Sequence, residues 1–113
     1  MNAPARGEVW LADLDPTLGH EQAGRRPVLI MSDDVFNRGP AQLVIAVPMT
    51  SVIKRIPSHV RVVPPEGGLQ KPTAILCEAV RSLSTTRLIR CWGALNSKTL
   101  AQVEDILRVL LRL

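Results

Sequence analysis

The nine residues from 19 to 27, GHEQAGRRP, hold a dense set of polar side chains between two apolar runs. Gly19 and Gly24 allow the backbone to bend and to approach a ligand closely. Arg25 and Arg26 add two permanent positive charges, and the planar guanidinium group suits the oxygens of a phosphate. This stretch therefore indicates a site for an anionic ligand.

Three further side chains of the same stretch extend its chemistry. His20 belongs to the residue type that titrates near neutral pH, while Glu21 and Gln22 offer oxygen acceptors and an amide. A solvated loop between two strands would have a similar composition, because connecting segments are commonly polar. The residue types alone leave these two interpretations open.

Two hydroxyl side chains, Thr50 and Ser51, follow the apolar run QLVIAV at residues 42 to 47. Pro48 cannot donate a hydrogen bond to a neighbouring strand, so we expect strand pairing to break there. The break would free both hydroxyl groups to face a ligand, although hydroxyls at strand ends are usually structural.

The overall charge agrees with an anionic partner. The 113 residues carry a net charge of +4, and eleven of the fourteen basic residues are arginine, which favours phosphate recognition or an acidic protein partner. Trp10, Phe36 and Trp92 are the complete set of aromatic residues. This scarcity disfavours a protein that binds single strands on several stacking platforms, so base recognition would depend on hydrogen bonds and arginine planes.

Cys77 and Cys91 are too few and too far apart for a metal site, and we expect both to be small buried residues of a reduced protein. We find neither an apolar run that could span a membrane nor the apolar region of a signal peptide. A cytoplasmic location is therefore expected.

The elements that must position these groups can be read from periodicity and turn residues. A small curved sheet or barrel capped by one terminal helix is the predicted architecture. The predicted strands are Glu8–Leu14, Pro27–Met31, Gln42–Val47, Ser58–Val63, Thr73–Val80 and Ile89–Leu95, and the predicted helix is Lys98–Leu111 with Ser97 as its N-cap.

Three details of these elements give further expectations. Glu78 lies inside a predicted buried strand, where a lone carboxylate is costly, and Arg81 is a candidate ion-pair partner. His59 is expected at the surface. The apolar residues of the helix cover an arc of about 200°, more than one core needs, which indicates a second burial surface such as a subunit interface.

The segment RGEVWLADLDPTLGHEQAGRRPVLIMSDDVFN resembles the opening of the MazF/PemK toxins of bacterial toxin–antitoxin systems. The later segments VPMTS, SHVRVV and LCEAVRSLSTTRL follow in the order and spacing of that family, with Gly-x-Glu-Gln-x-Gly-x-Arg-Pro as its most specific motif. The resemblance implies one domain over residues 1–113, mainly β with a C-terminal helix, an SH3-like β-barrel of the CcdB/Kid/MazF type that forms a homodimer.

The same resemblance implies a sequence-specific endoribonuclease that needs no metal or other cofactor and cuts single-stranded RNA, mostly mRNA. A cognate MazE-like antitoxin would neutralise it by laying an acidic flexible tail over the RNA groove. The alternatives are a CcdB-like toxin that poisons DNA gyrase and a barrel that binds nucleic acid without cutting it. The gyrase alternative relies on a Trp-bearing C-terminus, whereas this sequence ends Leu111-Arg112-Leu113.

Matched to the family pattern, the resemblance implies that Arg26 and Thr50 carry the chemistry. Guanidinium stays protonated, so Arg26 would stabilise charge and would not act as a base, while Thr50 would orient the phosphate. His20 lies at a position where the family does not demand histidine, so we expect it to be a neighbour of the reaction. The residues expected to contact RNA are Gly19, His20, Glu21, Gln22, Arg25, Ser51 and Arg81.

Overall fold

The computed structural model describes residues 3–14 and 24–113, so the expected ligand residues Gly19, His20, Glu21 and Gln22 lie outside the described residues. The strands are β1 (Glu8–Asp13), β2 (Arg25–Ile30), β3 (Leu43–Thr50), β4 (His59–Val62), β5 (Thr73–Leu76), β6 (Arg81–Ser84) and β7 (Leu88–Ala94), and the α-helices are α1 (Asp34–Asn37) and α2 (Ser97–Leu111). Short 3₁₀ turns occupy Glu66–Gly68, Cys77–Ala79 and Thr85–Arg87.

The strands form one antiparallel sheet in the order β4-β5-β3-β2-β1-β7, and β6 also pairs with β3. This confirms the predicted class, mainly β with a C-terminal helix. Within the described residues the path does not close, because its end strands β4 and β7 are not hydrogen-bonded to each other. Over the described residues, the predicted barrel is thus a sheet with an open seam between β4 and β7.

Apolar residues of β1, β2 and β3 alternate between two cores. The first core contains Val9, Leu29, Val47 and Met49 and is covered by β4, β5 and Val103 of α2. The second core is enclosed by β1, β2, β3, β6 and the start of β7, and its members are Trp10, Ala12, Leu14, Val28, Ile30, Val44, Ala46, Leu83 and Leu88. Burial on both faces explains the nearly continuous apolar runs of β2 and β3, as the sequence predicted.

The predicted strand end at Val47 is wrong, because β3 continues to Thr50, but pairing on one side of the strand is interrupted at Pro48 as expected. The strand changes partner at this point: residues 43–46 pair with β6, whereas Met49 and Thr50 pair with β5. Pro48 lies in the gap between these two pairings and faces Val28 of β2 across the sheet. A residue without an N–H group is tolerated there because the ladder on that side is already interrupted.

The predicted strand Thr73–Val80 is also wrong in its second half. It ends at Leu76, the 3₁₀ turn Cys77–Ala79 follows, and β6 begins at Arg81. Glu78 is consequently exposed, and its partners are Ser58 and His59, not Arg81. β6 was missed because its sequence RSLS buries one residue, Leu83, and shows no apolar run.

The side chain of His59 is less exposed than expected. It begins β4, opposite Leu76 of β5, and only 7% of its side chain is exposed. The His59 side chain points to the outer face of the strand, where the turn that holds Glu78 covers it. When the His59 ring is protonated, it forms an ion pair with Glu78 at 2.8 Å.

Helix α2 begins one residue earlier than predicted. Asn96 is its N-cap, and the Asn96 side chain accepts a hydrogen bond from the Thr99 backbone N–H at 2.8 Å, so Ser97 is the first helical residue. The surplus apolar residues at the end of the helix, Val109, Leu110 and Leu111, are exposed, as is Leu113 beyond it. Neither helix in the described parts of the chain combines the length and apolar composition needed to cross a bilayer.

Candidate active site

A cavity of about 580 Å³ opens where the start of β2 meets the end of β3. Four of the residues singled out from the sequence line it together: Arg25, Arg26, Thr50 and Ser51. Its apolar lining includes Leu11, Pro27, Met49 and Leu69. The fold therefore joins, in one concave surface, groups that lie more than twenty residues apart in sequence.

Arg25 and Arg26 open β2, where Cα pairing sets them opposite Asp13 and Ala12 of β1. Successive residues of a strand leave it on opposite faces, and accordingly Arg25 is exposed while Arg26 is half-buried. Both still contribute to the cavity wall, because the cavity lies across the end of the strand. Arg26 therefore lies at the mouth of β2, beside the cavity.

Thr50 ends β3, paired with Ala74 of β5, and only 7% of its surface is exposed. Its Oγ1 accepts a hydrogen bond from the Val52 backbone N–H at 3.1 Å. The bond fixes the position of the hydroxyl oxygen while the hydroxyl proton stays available to a ligand. Ser51, the next residue, is exposed at the same rim.

Strand pairing brings Arg26 and Thr50 to the same end of the sheet, where both line the cavity. β2 pairs with β3 through Val28 opposite Pro48 and Leu29 opposite Val47. The pairing ends at Val28 and Pro48, and beyond it Arg26 precedes Val28 by two residues while Thr50 follows Pro48 by two, so in antiparallel strands both lie at the same end of the pair. A guanidinium group and a held hydroxyl group thus share one end of the same strand pair.

Four further side chains that the sequence did not single out as ligands line the cavity: Gln70, Lys71, Arg90 and Trp92. Gln70 and Lys71 follow the 3₁₀ turn Glu66–Gly68, and Arg90 and Trp92 belong to β7. Arg90 reaches the site because it pairs with Leu11 of β1. No local pattern reveals such a placement, because it depends on pairing between the two ends of the chain.

The cavity is strongly cationic. Arg25, Arg26, Lys71 and Arg90 line it, and no carboxylate stands among the lining residues that belong to the described ranges. Clustered cations in a concave surface raise the local concentration of an anionic ligand. The arrangement suits a polyanion such as a nucleic-acid strand more than a single small carboxylate.

Cys91 also lines the cavity and is exposed, so its predicted burial is wrong. It belongs to a strand whose middle residues face solvent. Partial burial and then the negative charge of Glu8 raise the pKa of the Cys91 thiol. The thiol therefore stays protonated near neutral pH and is a poor nucleophile. Cys77 is buried as expected, and burial raises its pKa to about 11.

Arg81, an expected RNA contact, is placed elsewhere. It begins β6, opposite Ala46 of β3, and does not line the cavity. Its Nε donates a long hydrogen bond of 3.4 Å to the Ser82 carbonyl oxygen. The structure thus brings together Arg25, Arg26, Thr50 and Ser51 but not Arg81.

Comparisons with known proteins agree with this fold. Residues 5–111 match the family described as the PemK-like, MazF-like toxin of type II toxin–antitoxin systems. The chain is similar to "Endoribonuclease EndoA" of Bacillus subtilis, with 33% identity over 96% of this chain and 94% of that protein.

Two crystal structures from Deinococcus radiodurans share the fold. One is MazF, with a TM-score of 0.88, 32% identity and full coverage of both chains. The other is a MazE–MazF structure, with a TM-score of 0.82, 31% identity and coverage of 100% of this chain and 99% of that one. The predicted endoribonuclease class agrees with the name of the Bacillus relative, and the gyrase-poisoning alternative is not favoured. Because the family match spans nearly the whole sequence, this chain belongs to the PemK-like, MazF-like toxins of type II toxin–antitoxin systems.

Proposed function

We propose that this chain is a sequence-specific endoribonuclease toxin that cleaves single-stranded RNA in the cationic cavity without a metal ion. The observation that carries the proposal is that Arg26 and Thr50, at one end of the β2–β3 pair, line the same concave surface, to which four cations contribute. The similarity to a protein named as an endoribonuclease supports the same substrate class.

Without a metal ion, the nucleophile would be the 2′-hydroxyl group of the RNA itself. Its oxygen attacks the adjacent phosphorus, the bond to the 5′-oxygen breaks, and the products are a 2′,3′-cyclic phosphate and a 5′-hydroxyl end. The enzyme must hold in-line geometry, stabilise the negative charge of the pentavalent phosphorus and allow two proton transfers.

Arg26 would stabilise that charge with its guanidinium donors. Because guanidinium remains protonated in proteins, Arg26 is assigned no role as a base. The Thr50 hydroxyl group would donate a hydrogen bond to a non-bridging phosphate oxygen, in an orientation set by the Val52 N–H. Arg25, Lys71 and Arg90 would hold neighbouring phosphates.

The partners in this proposal follow from charge and exposed apolar surface. The cationic cavity suits the acidic flexible tail of a MazE-like antitoxin, which would compete with RNA for the same charges. The exposed apolar end of α2, which includes Val109 and Leu111, suits the interface of a homodimer. A cytoplasmic location is part of the proposal, since mRNA is the expected target.

The test is incubation of the purified protein with mixed-sequence RNA in EDTA, followed by analysis of the fragment ends. The wild type should give discrete fragments with 5′-hydroxyl ends. Arg26→Ala should lower the cleavage rate on the order of 100- to 1000-fold while its circular dichroism spectrum stays native. Arg38→Ala is the matched control, because Arg38 is an exposed arginine of the α1 terminus that does not line the cavity.

Two results would contradict the proposal. Full activity in Arg26→Ala would remove the assigned role of that residue. Intact RNA with a shift in gel mobility would indicate a protein that binds RNA without cutting it.

A further inference from the structure

One wall of the cavity is a short segment, residues 68–71, held against β7 by direct contact between backbones. A Cβ atom at Gly68 would lie 2.1 Å from the Trp92 carbonyl oxygen, and one at Gly93 would lie 2.8 Å from the Gly67 carbonyl carbon. No side chain fits between the two segments, so the wall and the strand are in fixed contact.

Both ends of the wall are anchored in the protein. Leu69 is buried in the first core, and Thr73 is buried at the start of β5. The Thr73 hydroxyl donates a hydrogen bond of 2.9 Å to the Lys71 carbonyl oxygen. Glu66, in the preceding turn, accepts a bond of 3.0 Å from the Asn96 backbone N–H at the start of α2. The backbone between these anchors is held in place for recognition.

Gln70 and Lys71 present exposed side chains from this wall into the cavity. Across the described residues, neither side chain has a hydrogen bond or an ion pair of its own. A carboxamide offers a donor and an acceptor side by side, which matches the edge of an unpaired base, whereas an ammonium group matches phosphate.

Trp92 adds an aromatic surface beside them. It is half-buried, packs against the first core and lines the cavity. Trp10 is buried in the second core, so its ring is not available to a ligand. One rigid aromatic face suffices to stack one base, although it does not make an extended platform.

We propose that Gln70 is a specificity-determining residue, an inference that rests on the proposed function. Gln70 reads the edge of one unpaired RNA base that stacks on Trp92, and Lys71 holds a flanking phosphate. In RNA recognition, contacts to base edges specify sequence and contacts to phosphate position the strand. Gln70 and Lys71 should therefore differ in the effect of their removal.

The experiment sequences the 5′ ends of transcripts cleaved by the wild type, Gln70→Ala, Lys71→Ala and Gln102→Ala. Gln70→Ala should relax the preference at one nucleotide position by roughly 10- to 100-fold and leave the other positions unchanged. Lys71→Ala should slow cleavage at all sites alike and keep the sequence profile. Gln102→Ala is the control, because Gln102 is an exposed glutamine of α2 outside the cavity.

Stacking has its own readout in tryptophan emission. An RNA of the preferred sequence with a 2′-deoxy nucleotide at the cut site should bind uncut and quench part of the wild-type emission. That quenching should be lost in Trp92→Phe.

The inference would be overturned if the Gln70→Ala variant still cleaves RNA with an unchanged sequence profile. It would also be overturned if the cleavage rate falls equally at all sequences. Undiminished quenching in Trp92→Phe would overturn the stacking role. If the wild type cuts no RNA, the proposed function fails first, so the two failures are distinguishable.

Discussion

His59 Nε2 lies 2.8 Å from Glu78 Oε2, and the other oxygen of that carboxylate accepts a 2.6 Å hydrogen bond from the Ser58 hydroxyl. These contacts join the start of β4 to the 3₁₀ turn after β5, which also packs on α2. Burial alone would raise the pKa of Glu78, but the bonds from Ser58 and His59 outweigh it and hold that pKa below the ordinary value of 4.5.

This lowered pKa predicts acid-dependent stability. A carboxyl group with a lower pKa in the folded state stabilises the fold above pH 4.5, and the contribution is lost as the pH falls through the folded-state pKa. Because the Glu78 side chain is 45% exposed, we expect less than about 1 kcal/mol. In urea denaturation, the free energy of unfolding should fall less between neutral and acid pH in Glu78→Gln than in the wild type.

The control for this measurement is Asp105→Asn, which removes a carboxylate that is 77% exposed and bound to Arg108 of its own helix. In this variant the free energy of unfolding should fall with acid pH as much as in the wild type. If Glu78→Gln and the wild type lose stability in parallel, the network does not stabilise the folded state.

Thr50 gives a prediction that separates its hydroxyl group from its shape. Thr50→Ser keeps the hydroxyl and should retain most RNA cleavage, whereas Thr50→Val should lower the rate constant for cleavage on the order of 100-fold. Thr50→Val also leaves the Val52 N–H without its acceptor, at a cost of about 1 kcal/mol. Single-turnover kinetics and denaturation measure the two effects, and equal rates in both variants would exclude a role for the hydroxyl.

Gly68→Ala should destabilise the protein strongly. Its φ of +74° is unfavourable for alanine, and the new Cβ would lie 2.1 Å from the Trp92 carbonyl oxygen, so we expect a loss of about 3 kcal/mol or more. Gly24→Ala is the matched control. Gly24 has a φ of +77°, but no atom of the described residues lies within 4 Å of an added Cβ, so this change should cost only about 1–2 kcal/mol. Similar thermal shifts in both variants would contradict the close contact.

The cap of α2 can be tested with adjacent residues. Asn96→Ala removes the acceptor of the Thr99 N–H and should cost about 1 kcal/mol. Ser97→Ala changes an exposed residue of the first turn and should stay within about 0.5 kcal/mol of the wild type. Denaturation of both variants measures these losses of stability. A larger loss in Ser97→Ala than in Asn96→Ala would indicate that Ser97 is the N-cap.

Much of the fold follows from local sequence. The runs PVLIM and QLVIAV predict strands buried on both faces, and α2 is evident from its apolar periodicity. Arg26 and Thr50 could be selected because each lies close to a proline at the end of a predicted strand, Pro27 and Pro48, and fits the pattern of a known family. Hydrophobic periodicity and chain punctuation are local properties, so they can be read before the strands are paired.

Other features depend on which strands meet. Pro48 is accommodated because β3 changes partner beside it, and Glu78 finds His59 because β5 turns aside after Leu76. Gln70 and Trp92 line the same cavity because the backbone at Gly68 lies directly against that of Trp92. Local residue types thus determined most of the strands and the two candidate catalytic groups, the Arg26 guanidinium and the Thr50 hydroxyl. Long-range pairing decided the shape of the cavity and its remaining walls, because contacts between distant segments leave no periodic signal in the sequence.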